Sequence, residues 1–107
     1  GVDARTLFEV VSRSTGNSNA LQGLPDTVFV RDFEPGFRLA LGAKDVRLAT
    51  DLGRRLGVPL ELSNLVDQQY TDAMRRGLGP LSSAAVVILQ EERAGVEIRE
   101  ATEGTSA

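Results

Sequence analysis

The chain has 107 residues, enough for one domain, with 41% hydrophobic and 25% charged residues, which is ordinary globular usage. It holds neither Cys nor His, so disulfides, thiolate nucleophiles, the usual zinc sites and imidazole-dependent triads are excluded. A net charge of −3 and a pI near 4.9 speak against a broad nucleic-acid footprint, and no apolar run reaches the roughly 20 residues of a membrane span.

The chain opens on Gly1, and its single Met is Met74, so it is expected to be a piece of a longer protein. The first twenty residues have no basic-then-apolar layout of an export signal, and a cytoplasmic location is expected. The first helix is predicted from an Asp3 N-cap, with Val2 and Leu7 as a hydrophobic staple, through Leu7, Phe8, Val10 and Val11 to Ser12. The Gly16 turn ends it. Ala20, Leu21 and Leu24 suggest a short second helix cut at Pro25. Asp26–Val30 favours strand by composition, yet an isolated strand has no partner, so it is read as a short helical turn. A turn around Pro35-Gly36 spans Asp32–Phe37.

A long helix is predicted from Phe37 to Leu56, closed by Gly57 and Pro59. Phe37, Leu41, Leu48, Leu52 and Leu56 stand at offsets of 4, 7, 4 and 4 and form an apolar stripe expected to face inward. The next helix is predicted from Leu62 to Arg76, with Leu65, Val66, Ala73 and Met74 inward and Gly77 as its stop. Ser82 or Ser83 caps a last helix through Ala85, Val86 and Leu89 to Arg93, ended by Gly95. Residues 96–107 read as a polar, flexible tail beyond a 1–95 domain. The expected fold is all-α, a compact bundle of five or six helices.

Lys44 is the only Lys among twelve basic residues. Such a bias is consistent with genome composition, or with a site that needs a compact ammonium rather than a guanidinium. On a helical wheel Lys44 falls near Phe37 and Leu48, and Asp45 near Leu52 and Leu56, so two charges flank the apolar stripe. One reading is a surface helix with Lys44 snorkelling and Asp45 solvated; the other is a stripe facing a ligand cleft. Both stay open on these grounds. Ser14–Ser18 reads as an ordinary helix-helix turn before an anion site. Phe33–Phe37 reads as core anchors before a pocket edge. Gly77-Leu78-Gly79 lacks the strand that a dinucleotide fingerprint requires, and Glu91-Glu92-Arg93 reads as a solvated face. No pair of carboxylates stands out as an acid/base couple.

Taken together, Phe33-Glu34-Pro35-Gly36-Phe37, the run from Lys44 to Asp51, and Leu56-Gly57-Val58-Pro59-Leu60 resemble the β-hydroxyacid dehydrogenases, the family of 3-hydroxyisobutyrate dehydrogenase, tartronate semialdehyde reductase and 6-phosphogluconate dehydrogenase. The resemblance runs from Gly1 to about Arg93 and corresponds to the C-terminal helical domain. It implies that Lys44 reaches the nicotinamide end of NAD or NADP, with Asp45 and Phe37 lining the same cleft. Asn19 stands where members often carry Trp, on the substrate-side wall. The Rossmann domain with GxGxxG and the interdomain helix with the catalytic lysine are absent, so no catalytic residue is assigned here. In Gly77–Ala85 both acidic positions of the family pattern are lost.

The resemblance thus implies the substrate and cofactor cleft and oligomerisation domain of an enzyme that moves hydride between nicotinamide and a small 3-hydroxy acid. The piece itself would be inactive. Its partners would be its own N-terminal domain and a second copy in a dimer, with no metal, nucleic acid or membrane. A free-standing helical interaction module without cofactor is the alternative, and the upstream coding sequence discriminates the two.

Overall fold

Asp3 accepts a hydrogen bond from the Thr6 amide at 3.0 Å and starts α1, Ala4–Ser12. The computed structural model describes residues 1–100. Ser18 caps α2, Asn19–Gln22, in the same way, and the chain then tightens into a 3₁₀ turn at Leu24–Asp26 that takes Pro25 where no amide is needed. The 26–30 segment continues as turns rather than strand, and it buries Val28 and Phe29. No strand occurs among the described residues; Arg38 and Ser82 form an isolated bridge.

The long helix α3 runs Leu39–Leu56 and stops at Gly57, whose φ of +68° suits a residue without Cβ. It begins two residues later than predicted because Phe37 instead gives its carbonyl to the Ser83 amide. α4 spans Glu61–Arg75, and a Ser82-capped 3₁₀ turn, Ser83–Val86, leads into α5, Val87–Ala94, ended at Gly95. The expected all-α class holds for the described residues, with five α-helices and two 3₁₀ turns.

The expected inward stripe is overturned. Phe37, Leu41, Leu48, Leu52 and Leu56 are all exposed, Leu48 by 60%. α3 turns Leu39, Gly42, Thr50 and Gly53 inward instead. These mostly small residues let α4 and its approach come close: Gly42 faces the Tyr70 ring, and Gly53 faces Leu60. The larger side chains are left on the opposite face. On α4 only Ala73 of the four residues expected inward is buried, and Leu65, Val66 and Met74 are exposed. The core of this part joins Leu39, Ala73, Ala85 and Leu89, with Phe33, Tyr70, Leu81 and Ile88 packed around it.

Glu91 is the second correction. Expected on a solvated face, it is 6% exposed and receives two hydrogen bonds from Arg31, at 2.6 and 3.1 Å. Glu92 and Arg93 are exposed as expected. Residues 96–100 run back along the Arg31 segment, where the Glu100 amide donates to the Phe29 carbonyl at 3.0 Å. The rest of the expected tail lies outside the described residues. α1 and α2 pack on each other, with α2 also against the 24–26 turn, while α3, α4, the 83–86 turn and α5 pack together as a second group.

Candidate ligand groove

Helical geometry sets the groove. Residues three and four apart share a face, so Ala40, Ala43, Lys44 and Arg47 make one wall on α3. Asp67, Thr71 and Met74 make the other on α4. Between them lies a shallow hollow of about 340 Å³. Small alanines leave the space that larger side chains would fill, while Met74 and the alanines give an apolar floor.

The polar part is organised by Asp67. Its carboxylate is buried, and both of its oxygens accept from Arg47 Nε at 3.0 and 3.1 Å. Arg47 Nη2 donates to Thr71 Oγ1 at 3.1 Å, and that hydroxyl donates to the Asp67 carbonyl one turn back at 2.8 Å. A buried carboxylate without such a partner would be costly. Every buried side-chain polar atom among the described residues has a partner.

Lys44 lines this hollow and is 61% exposed, with its ammonium 3.0 Å from Asp45. The structure thus brings Lys44 and Asp45 together as an ion pair at the groove's edge. Asp45, Phe37 and Asn19 are exposed and are not among the residues lining the hollow. Phe37 sits in the turn before α3, and Asn19 opens α2. Sequence reasoning missed Arg47, Asp67 and Thr71. Their spacing, Lys44 to Arg47 and Asp67 to Thr71 to Met74, was readable, but which helix faces which was not.

A second hollow, of about 280 Å³, is apolar and lies between α1, the 24–29 turn and Ile98, with Leu7, Phe8, Leu24 and Phe29 in its walls. The Phe8 and Phe29 rings meet edge to face at 6.0 Å. Among the described residues no group of three His, Cys, Asp or Glu gathers as a metal site, and no helix is long and apolar enough to cross a membrane.

Residues 1–90 match the family model described as the NAD-binding unit of NADP-dependent 3-hydroxyisobutyrate dehydrogenase. The chain is 29% identical over 92% of its length to 2-(hydroxymethyl)glutarate dehydrogenase of Eubacterium barkeri, covering 33% of that protein. It is also 29% identical, over 86% of its length, to the mitochondrial 3-hydroxyisobutyrate dehydrogenase of Drosophila melanogaster, covering 31% of it. Among solved structures, 3-hydroxyisobutyrate dehydrogenase from Salmonella typhimurium superposes with a TM-score of 0.78 at 26% identity, over 83% of this chain and 31% of that one. The Mycobacterium tuberculosis 3-hydroxyisobutyrate dehydrogenase solved with L-serine gives 0.74 at 28% identity, over 82% and 32%. The chain therefore spans about a third of the length of the relatives it matches. The cofactor expected for the intact enzyme, NAD or NADP, agrees with the family's description. On a match that covers most of its residues, the chain belongs to the NAD-binding family of the 3-hydroxyisobutyrate dehydrogenases.

Proposed function

We propose that this chain is the C-terminal helical domain of an NAD(P)-dependent β-hydroxyacid dehydrogenase, and that the α3–α4 groove is one wall of its nicotinamide cleft. The observation that carries the reading is Lys44, the sole Lys of the sequence, which lines a concave surface at the position where the resemblance expects a cofactor contact.

A hollow of about 340 Å³ is at the small end of ligand pockets, which run about 300–1,000 Å³. It suits one end of a dinucleotide, the rest being held by the domain that this chain lacks. When bound, the nicotinamide supplies the carbon that accepts or returns hydride. Lys44 supplies a positive charge for that end of the cofactor or for the carboxylate of a small 3-hydroxy acid. Asp45 orients the ammonium through their 3.0 Å pair. The resemblance adds Phe37 at the entrance and Asn19 on the substrate-side wall; neither lines the α3–α4 groove itself, so both places belong to the larger cleft of the intact enzyme. The lysine that moves the hydroxyl proton lies outside this chain, so the 107 residues catalyse nothing alone.

The exposed side of α3, with Leu48, Leu52 and Leu56, is a face for the remainder of the protein and a second copy. Sedimentation of the chain and of its Leu52→Arg variant checks this; equal, purely monomeric behaviour of both would remove the second copy from the reading.

The decisive experiment uses the longer reading frame. Its product should reduce NAD or NADP with a small 3-hydroxy acid, and Lys44→Ala should raise the cofactor KM or lower kcat by about tenfold or more, the scale of a lost charged contact. Unchanged kinetics would return Lys44 to an ordinary surface residue. The isolated chain should show no turnover.

A further inference from the structure

We propose that Arg47 is the second cation of the groove, and that with Lys44 it receives an oxyanion of the bound ligand, a carboxylate or a phosphate. This rests on the reading of the groove as a ligand cleft. Arg47 follows Lys44 by three residues, so both stand on one face of α3 and both line the hollow.

What sets Arg47 apart from an ordinary surface arginine is that it is tethered on two sides. Nε is held by both oxygens of buried Asp67 and Nη2 by Thr71 Oγ1, while Thr71 is itself tied to the α4 backbone. Among the described residues Nη1 has no hydrogen-bond partner in the protein. A flexible arginine loses rotamer freedom on binding; this one has already lost it on folding, so a ligand meets a fork fixed in advance. Asp67 and Thr71 are positioning residues for that fork.

The charges facing the hollow also say how it recognises. Lys44 is offset by Asp45 and Arg47 by Asp67, so the groove has little net field. Recognition comes from directed N–H donors beside an apolar floor of Ala40, Ala43 and Met74. An oxyanion attached to an apolar or aromatic body fits that pairing of surfaces better than a free inorganic ion.

The test follows the Arg47 Nε–H and Lys44 signals of the isotope-labelled chain by NMR. The probes are sodium pyrophosphate, NAD, 3-hydroxyisobutyrate and, as an uncharged control, nicotinamide. The anions should move the Arg47 signal and nicotinamide should not. A stronger response to NAD and pyrophosphate identifies a phosphate, and a stronger response to 3-hydroxyisobutyrate identifies a carboxylate. Arg47→Met should weaken anion binding about tenfold, and Arg47→Lys should not restore it, because the fork is gone.

Asp67→Asn gives the sharpest outcome. Removing a nearby negative charge strengthens anion binding if Asp67 acts only through its field, and weakens it if Asp67 positions Arg47. Thr71→Val, which removes one tether and no charge, repeats the question in a variant that keeps the buried carboxylate. Weaker binding in both supports the proposal; unchanged or tighter binding in both, or no response of Arg47 to any anion, overturns it. If NAD moves Lys44 but not Arg47, the cofactor reading stands and this inference fails. If pyrophosphate moves Arg47 and NAD does not, the oxyanion site stands and the cofactor reading fails.

Discussion

Arg31 and Glu91 lie sixty residues apart and meet through paired hydrogen bonds of 2.6 and 3.1 Å, with the carboxylate buried and the guanidinium largely so. Arg31 is the one non-glycine residue with positive φ, +57°, among the described residues. Its guanidinium also lies 5.0 Å from the Phe33 ring centre. An unfavourable backbone conformation is held because the side chain it aims is satisfied on several sides. Glu91→Ala leaves the guanidinium without its main partner and should cost about 3 kcal/mol by urea unfolding, the scale for breaking a buried pair. A loss below about 1 kcal/mol, typical of an exposed pair, would show that water replaces the carboxylate.

The same junction holds residues 96–100. The Ile98 amide donates to Glu91 at 2.5 Å, its carbonyl accepts from Arg31 at 3.1 Å, and Glu97 pairs with Arg31 Nε at 3.1 Å. Ile98 meanwhile closes one side of the apolar hollow beside Phe8 and Phe29. Ending the chain at Gly95 should therefore speed amide exchange in α1 and around Phe29 while leaving α3 and α4 protected. Uniform exchange across the molecule, or none of it changed, would show that the segment does not fasten the α1–α2 part to the rest.

Gly53 faces the approach to α4. A Cβ there would stand 2.7 Å from Leu60 Cδ1 and 3.0 Å from the Val58 carbonyl oxygen. Alanine is the better helix former by about 1 kcal/mol. The clash with the Leu60 side chain, with the Val58 carbonyl crowding the other side, should outweigh that, and Gly53→Ala should lower stability by about 1–2 kcal/mol in thermal or urea unfolding. A stabilised variant would mean that the α3–α4 loop yields freely.

The end of α4 carries a pH-dependent contact. Hydrogen bonding from Arg76, with a further one from Arg75, holds the Asp72 carboxyl below its ordinary value of 3.8. The folded value is depressed, so this contribution is complete above the unfolded value and is lost as pH falls through the folded one. The stability gap between the parent and Asp72→Asn should be present at about pH 7 and shrink as pH falls below 3.8, the carboxyl's ordinary value. A gap independent of pH would assign the effect to something other than ionisation. Arg76 also pairs with Glu92 on α5, so the arginine is shared between two helices.

Much of the chain's local punctuation was readable. Asp3 and Ser82 cap where their short oxygen-bearing side chains reach a nearby amide, and Gly57 and Gly95 stop helices because a left-handed residue costs glycine little. The family motifs around Lys44 were equally legible. The faces were not: the leucine stripe of α3 marks where apolar side chains are, and says nothing of what covers them.

The order, class and glycine stops of the helices thus follow from residues acting on their immediate neighbours, since caps, glycine stops and helical periodicity work over three or four positions, whereas the start of α3 is set by the contact of Phe37 with Ser83. Which side of α3 is buried, that Glu91 goes inside, and that Lys44 shares a hollow with Arg47 and Asp67 were decided only in three dimensions. Each depends on the approach of a distant segment, and that approach is set by packing of small residues and by pairing of buried charge.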